Sequence, residues 1–170
     1  MAQHHILATI GYEAAELSDF IATLHGAGVS RLIDVRELPI SRRRGFAKAA
    51  LSTALAAAGI DYVHLRGLGD PKEGREAARA GDYARFRIVF GSHMKTEVAQ
   101  NALRTAVRLV EDGGACLMCY ERDHTRCHRT IVADAISSSL VAKIRHLGVR
   151  SGIGKRSREL GQVDLLTARA

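Results

Sequence analysis

A single-domain, three-layer α/β/α fold around a mostly parallel sheet is what this sequence predicts. Three observations carry that prediction. Short apolar runs alternate with segments of helical periodicity along most of the chain. No hairpin turn signal joins one apolar run to the next. The length, 170 residues, suits one domain with a sizeable core. Strand–helix alternation without hairpins implies right-handed crossovers and a sheet covered on both faces.

Each element has its own signal. Ile6–Ile10 is an apolar run ending at Gly11 and reads as a buried first strand. Leu17, Phe20, Ile21 and Leu24 follow at helical spacing, closed by Gly28. Arg31–Val35 is the second strand, and Leu51, Ala54, Leu55 and Ala58 mark a second helix stopped by Gly59. Ile60–Leu65 is the third strand. Residues 66–82, rich in Gly and charge with one Pro, read as a loop. Phe86, Val89 and Phe90 suggest a helix within 83–93, and Leu103, Ala106, Val107 and Val110 give a long helix over 96–112. Ala115–Cys119 is an apolar strand, followed by a helix that starts near Cys127. Lys143–Leu147 reads as a short last strand. The α/β domain is expected to occupy 1–148, and 149–170 to form a turn-rich basic extension.

Composition narrows the class. Hydrophobic content of 46% fits a globular chain. No apolar stretch is long enough to span a membrane. The first residues lack a charged segment followed by a long apolar run, which predicts no secretory leader and a cytoplasmic location. Three irregularly spaced cysteines do not form a disulfide framework. Net charge is +7, and residues 141–170 hold much of it, with seven Lys/Arg against Glu159 and Asp164. Such a tail either contacts a polyanion or is simply a solvated end. Four Phe, four Tyr and no Trp leave little for a base-stacking platform.

The densest chemistry lies between Cys119 and Arg129, CYERDHTRCHR in one-letter code. It is a strand-to-helix loop, and in an open α/β sheet such loops border the ligand crevice. The other strand ends deliver Tyr12, then Asp34 and Arg36 with the loop through Ser41 and Arg42. Arg36, Arg42 and Arg129 are candidate anion ligands, because planar guanidiniums grip phosphate or carboxylate in bidentate fashion. Each could instead pair with Asp34, Glu37 or Glu121. Cys127, near a helix N-terminus beside His128, is expected to have a lowered thiol pKa and to be a candidate nucleophile; Cys119 is a second. Glu121 or His128 would move protons. Cys116 points into the core. Cys119 and Arg126 are separated by six residues, one more than the phosphatase loop allows. Cys119, Cys127 and His128 or His124 could bind zinc, although no Cys-x-x-Cys pair supports it, and no metal or cofactor is assigned. The order of elements is Rossmann-like, but no Gly-x-Gly-x-x-Gly or Walker lysine follows the first strand, which disfavours a dinucleotide or P-loop ligand.

Taken together, Thr9-Ile10-Gly11-Tyr12, Ile33-Asp34-Val35-Arg36, Pro39 with Ser41-Arg42, Leu68-Gly69, Cys119 with Glu121, and Cys127-His128-Arg129 resemble the family catalogued as domain of unknown function 488. The resemblance runs from about residue 8 to 147. Where that family often reads Gly-His-Ser, this chain has Gly11-Tyr12-Glu13. The resemblance implies the α/β fold and one pocket gathering Asp34, Arg36, Ser41, Arg42, Cys119, Glu121, Cys127, His128 and Arg129. It supplies no substrate. The leading expectation is a pocket that binds or acts on a phosphate-bearing ligand, nucleotide or nucleic acid, with a Cys-dependent hydrolase or transferase as the enzymatic form. The alternatives are a non-catalytic nucleic-acid-binding module and a thiol-redox or metal-sensing protein.

Overall fold

The computed structural model describes residues 5–156. Five strands form one parallel sheet in the order β3-β2-β4-β1-β5. They are β1 His5–Gly11, β2 Arg31–Asp34, β3 Asp61–His64, β4 Ala115–Cys119 and β5 Ala142–Leu147. The helices are α1 Leu17–Gly26, α2 Lys48–Ala57, α3 Lys72–Arg79, α4 Tyr83–Met94, α5 Glu97–Glu111 and α6 His128–Ser139. The expected α/β/α class is the one observed.

The period of two along the strands divides the core into two layers. Leu7, Ile33 and Leu117 face one side, against Phe90, Leu103 and Val132 of α4, α5 and α6. Ala8, Ile10, Leu32, Cys116 and Met118 face the other, against Phe20 and Leu24 of α1 and Leu51 and Leu55 of α2. Full burial of a side chain such as Phe20 stabilises by about 1.5–3 kcal/mol. Strand β4 is buried at every position, as its place in the middle of the sheet requires.

The expected loop over 66–82 is corrected. A 3₁₀ turn spans Arg66–Leu68 and α3 begins at Lys72. Gly74 concealed the helix, because glycine inside a helical run weakens the pattern. It leaves room for a neighbour: a Cβ at position 74 would lie 2.0 Å from Oδ1 of Asp70, so that carboxylate would have to move. The helix is otherwise polar, and Ala77 is its one buried apolar side chain.

The division expected at residue 148 is bridged by hydrogen bonds. The backbone N–H groups of Gly152 and Gly154 donate to the carboxylate of Asp19, at 2.9 and 2.8 Å, in the first turn of α1. Residues 157–170 of the expected basic extension lie outside the described residues.

The register sets up the site. Gly11 pairs with Cys119, and Asp34 pairs with both Met118 and His64, so these strand ends finish level. Connections leaving β1 and β2 run to the α1–α2 face, whereas the one leaving β4 runs to the α6 face. The crevice therefore opens around the end of β4, where neighbouring loops diverge.

Candidate functional site

The wall behind the crevice is a buried ionic network. Asp34 is fully buried and Arg36 is 6% exposed. The guanidinium grips the carboxylate in fork fashion, Nε to Oδ1 at 2.9 Å and Nη2 to Oδ2 at 2.6 Å. Asp34 also accepts from the Arg36 amide at 3.0 Å and the Tyr62 hydroxyl at 2.6 Å. Arg36 Nη1 donates onward to the Tyr12 hydroxyl and the Phe46 carbonyl. Burial works against the charge on Arg36, but Asp34 and Tyr12 hold it protonated. Burial and the adjacent carboxylate push the Tyr62 phenol up. Tyr12 stacks on Phe46 with centroids 4.5 Å apart. The predicted residues Tyr12, Asp34 and Arg36 are thus brought together as one brace linking the loops after β1 and β2 to β3.

The floor comes from the β4–α6 segment. Cys127 is the N-cap of α6, its sulfur accepting from the Arg129 amide at 3.5 Å. His128 Nε2–H donates to the Val35 carbonyl at 2.8 Å, which fixes the ring and turns Nδ1 toward the sulfurs. Nδ1 lies 3.6 Å from Cys119 Sγ and 4.0 Å from Cys127 Sγ. Cys119 donates to a carboxylate oxygen of Glu121 at 3.1 Å. The ligating atoms of Cys119, Cys127 and His128 all lie within 4.8 Å of one another. Phe90 covers the far side of the imidazole, with centroids 5.2 Å apart.

The electrostatics of the floor differ from expectation. Burial pushes both thiols up rather than down, and for Cys127 the neighbouring Cys119 adds to the effect. His128 opposes the rise at Cys127, while the nearby arginines are engaged elsewhere: Arg126 pairs with Asp123, and the Arg129 guanidinium donates to backbone carbonyls. Burial opposes the charge on His128, yet Cys127, the Val35 carbonyl and Glu121 bring its pKa up to about 9. Burial would raise Glu121, but hydrogen bonds from the two thiols and its own amide, with His128 nearby, draw its carboxyl below the ordinary value.

Arg129 is 1% exposed and clasps the turn that carries Glu121. Its Nη1 and Nη2 donate to the carbonyls of Glu121 and Arg122. The same turn explains Gly11, where a Cβ would fall 1.8 Å from the Glu121 carbonyl oxygen. Cys127 and Arg129 therefore lie beneath the pocket surface and shape it from below.

Above this floor is a pocket of about 680 Å³. Cys119, Glu121, His128, Arg36 and Asp70 reach it from below; Arg42, Arg43, Arg75, Arg79 and Arg126 border it, with Ser41 beside them. Ser41 Oγ accepts from the Arg43 amide at 3.1 Å, tightening that loop. Arg43 and Arg75 contact Glu16 and Glu37, whereas Arg42 and Arg79 form no ion pair among the described residues. Leu38, Ile40, Tyr83 and Tyr120 give the mouth an apolar edge.

Asp70 was missed by sequence reasoning. It is 5% exposed, and its Oδ1 has no hydrogen-bond partner among the described residues. Burial pushes its pKa up to about 6, with His128 opposing and Glu121 adding to the shift. The signal was an Asp between Gly69 and Pro71, inside a stretch that looked like plain turn.

An open parallel sheet with a polar crevice at its strand ends defines the class, an α/β protein of parallel-sheet architecture. The chain belongs to the family described as Domain of unknown function DUF488, which it matches over residues 16–136. The match begins after β1, so the Thr9–Tyr12 motif lies outside it. No curated protein and no solved structure matches the chain. No helix among the described residues is long and apolar enough to cross a membrane.

Proposed function

We propose that the pocket binds a phosphate-bearing small molecule of the nucleotide class, with its phosphate at the arginine border and its other end over the Cys119–Glu121–His128 floor. The observation that carries this reading is the pairing of arginines at the border with a recessed polar floor in one concavity. Its guanidiniums differ from those expected. Arg36 and Arg129 are taken up by internal acceptors and act as positioning residues. Arg42 and Arg79 are the groups left to meet an anion, with Ser41 beside them. Tyr120 and Ile40 offer exposed apolar surface for a base or other flat group, while the Tyr83 ring carries the Arg126 guanidinium over it.

The volume favours a small ligand over a strand. About 680 Å³ falls inside the range of small-molecule sites. A nucleic-acid-binding module would call for a longer basic groove with several stacking platforms. A Cys-dependent hydrolase or transferase would need a thiolate, and burial keeps Cys119 and Cys127 protonated. Support is therefore stronger for the binding step than for free-thiol attack.

The test is calorimetric titration with a panel of nucleoside mono-, di- and triphosphates and pyrophosphate, on wild type and on Arg42→Ala/Arg79→Ala. We expect at least one ligand to bind, with affinity falling roughly tenfold or more in the double variant, as loss of charge-assisted hydrogen bonds implies. Absence of binding across the panel, or equal affinity in the double variant, overturns the reading.

A further inference from the structure

We propose that the pocket floor is a soft divalent-metal site of the zinc class, ligated by Cys119 Sγ, Cys127 Sγ and His128 Nδ1. This goes beyond the phosphate-ligand reading and does not depend on it.

The distances are those a tetrahedral ion would set. Zn–S bonds of about 2.3 Å and Zn–N bonds of about 2.0–2.1 Å imply S···N separations of about 3.6 Å. Cys119 Sγ and His128 Nδ1 are 3.6 Å apart, Cys127 Sγ and Nδ1 are 4.0 Å apart, and all three atoms fall within 4.8 Å. Both S···N separations lie within a few tenths of an ångström of that geometry.

The imidazole is held as a ligand should be. Metal-bound histidines commonly donate their second N–H to a carbonyl or carboxylate, which fixes the tautomer and aims the lone pair. His128 Nε2–H donates to the Val35 carbonyl at 2.8 Å, and Nδ1 is the nitrogen nearer Cys119 Sγ, at 3.6 Å against 4.0 Å for Nε2. The two cysteines are held from different elements, Cys119 by the end of β4 and Cys127 as the N-cap of α6. Both are therefore placed before any ion arrives.

The fourth position faces the pocket, from which Cys119 and His128 are reached. Glu121, 3.1 Å from Cys119 Sγ, stands at that side. Asp70 lies in the same floor, 5% exposed, with an oxygen that lacks a partner among the described residues. Two thiolates and an imidazole select zinc-like ions over magnesium or calcium. Loading requires both thiols and the protonated imidazole at Nδ1 to lose a proton to solvent, one for each new metal–ligand bond.

The test uses the full chain, purified under reducing conditions without chelator and analysed for bound metal by mass spectrometry. Metal-free protein is then titrated with cobalt(II) and zinc(II). One equivalent is expected, with thiolate-to-cobalt charge-transfer absorption that zinc abolishes and a rise in melting temperature on loading. Cys119→Ser and Cys127→Ser should lose that absorption, while Cys116→Ser, on the opposite face of the sheet, should keep it. Folded wild type that takes up no cobalt or zinc at micromolar concentration overturns the site. So does uptake that survives Cys119→Ser/Cys127→Ser. Because wild type is read directly, misfolded variants cannot mask the answer. Phosphate-ligand titrations on metal-free and loaded protein are scored separately, so failure of either proposal is seen on its own.

Discussion

Replacing Asp34 with alanine should destabilise the protein more than any exposed substitution. Four donors converge on this carboxylate: the Arg36 amide, Nε and Nη2 of its guanidinium, and the Tyr62 hydroxyl. Asp34 is fully buried and Arg36 is 6% exposed, so the guanidinium would be left without a counter-charge and out of reach of most water. Removing one partner of a buried ion pair costs about 3–5 kcal/mol. For a chain of this size each kcal/mol lowers the melting temperature by about 2–4 °C, so a loss of about 4 kcal/mol corresponds to roughly 8–16 °C. Removing both charges should hurt less than the sum of the single changes, because no lone charge then remains buried. The assay is urea denaturation followed by circular dichroism on wild type, Asp34→Ala, Arg36→Met and the double variant. Tyr62→Phe, which removes one hydrogen bond to a charged group, should cost about 1.5–3 kcal/mol. A loss below about 1 kcal/mol for Asp34→Ala, set against that 3–5 kcal/mol expectation, or strictly additive single effects, would refute the assignment of Asp34 as the partner that makes Arg36 tolerable in the core.

Other outcomes follow from single contacts. Gly11→Ala would drive a Cβ to 1.8 Å from the Glu121 carbonyl, so the Glu121 turn must move; the expected result is a lower melting temperature together with loss of cobalt uptake at the floor. Arg129→Met keeps much of the apolar stem but frees the Glu121 and Arg122 carbonyls. It should cost about 1.5–3 kcal/mol by denaturant melt, the scale of hydrogen bonds made by a charged donor. His146 stacks on His124 at 3.5 Å, and burial, His124 and Arg129 lower its pKa. The folded state therefore binds fewer protons than the unfolded chain, and this contribution to stability is present above the ordinary imidazole range and lost as pH falls through it. Wild type should lose more melting temperature between about pH 7.5 and 5 than His146→Gln, a window around the ordinary histidine value; parallel curves would contradict the sign.

Legibility in the sequence followed burial. Strand β4 could be read to the residue, because a continuous apolar run flanked by Gly113-Gly114 and a polar loop has one solution in a parallel sheet. Helix α3 could not, because it is nearly all polar and its glycine answers to Asp70, a neighbour four positions back. The concentration of chemistry between Cys119 and Arg129 was plain from residue types alone. What those groups face was not. An arginine written beside a cysteine is equally able to meet an anion, a carboxylate or two backbone carbonyls, and Arg129 does the last. The thiol of Cys127 was expected to respond to its helix N-terminus, but dehydration dominates. Asp70 escaped notice because its importance is its depth, which a turn-like Gly-Asp-Pro stretch does not advertise.

Because the crevice opens where loops part, most of its border and its floor are written in different stretches of the gene product. Arg42, Arg43, Arg75 and Arg79 of the border come from the segment after β2 and from α3, while Arg126, the thiols and the imidazole come from β4 and the segment through the start of α6. Exchange of residues 37–45 for a loop of another length or charge could thus retune which molecule is admitted while the floor stays as it is. The converse also holds: one cysteine substitution would alter the floor and leave the border segments as they are.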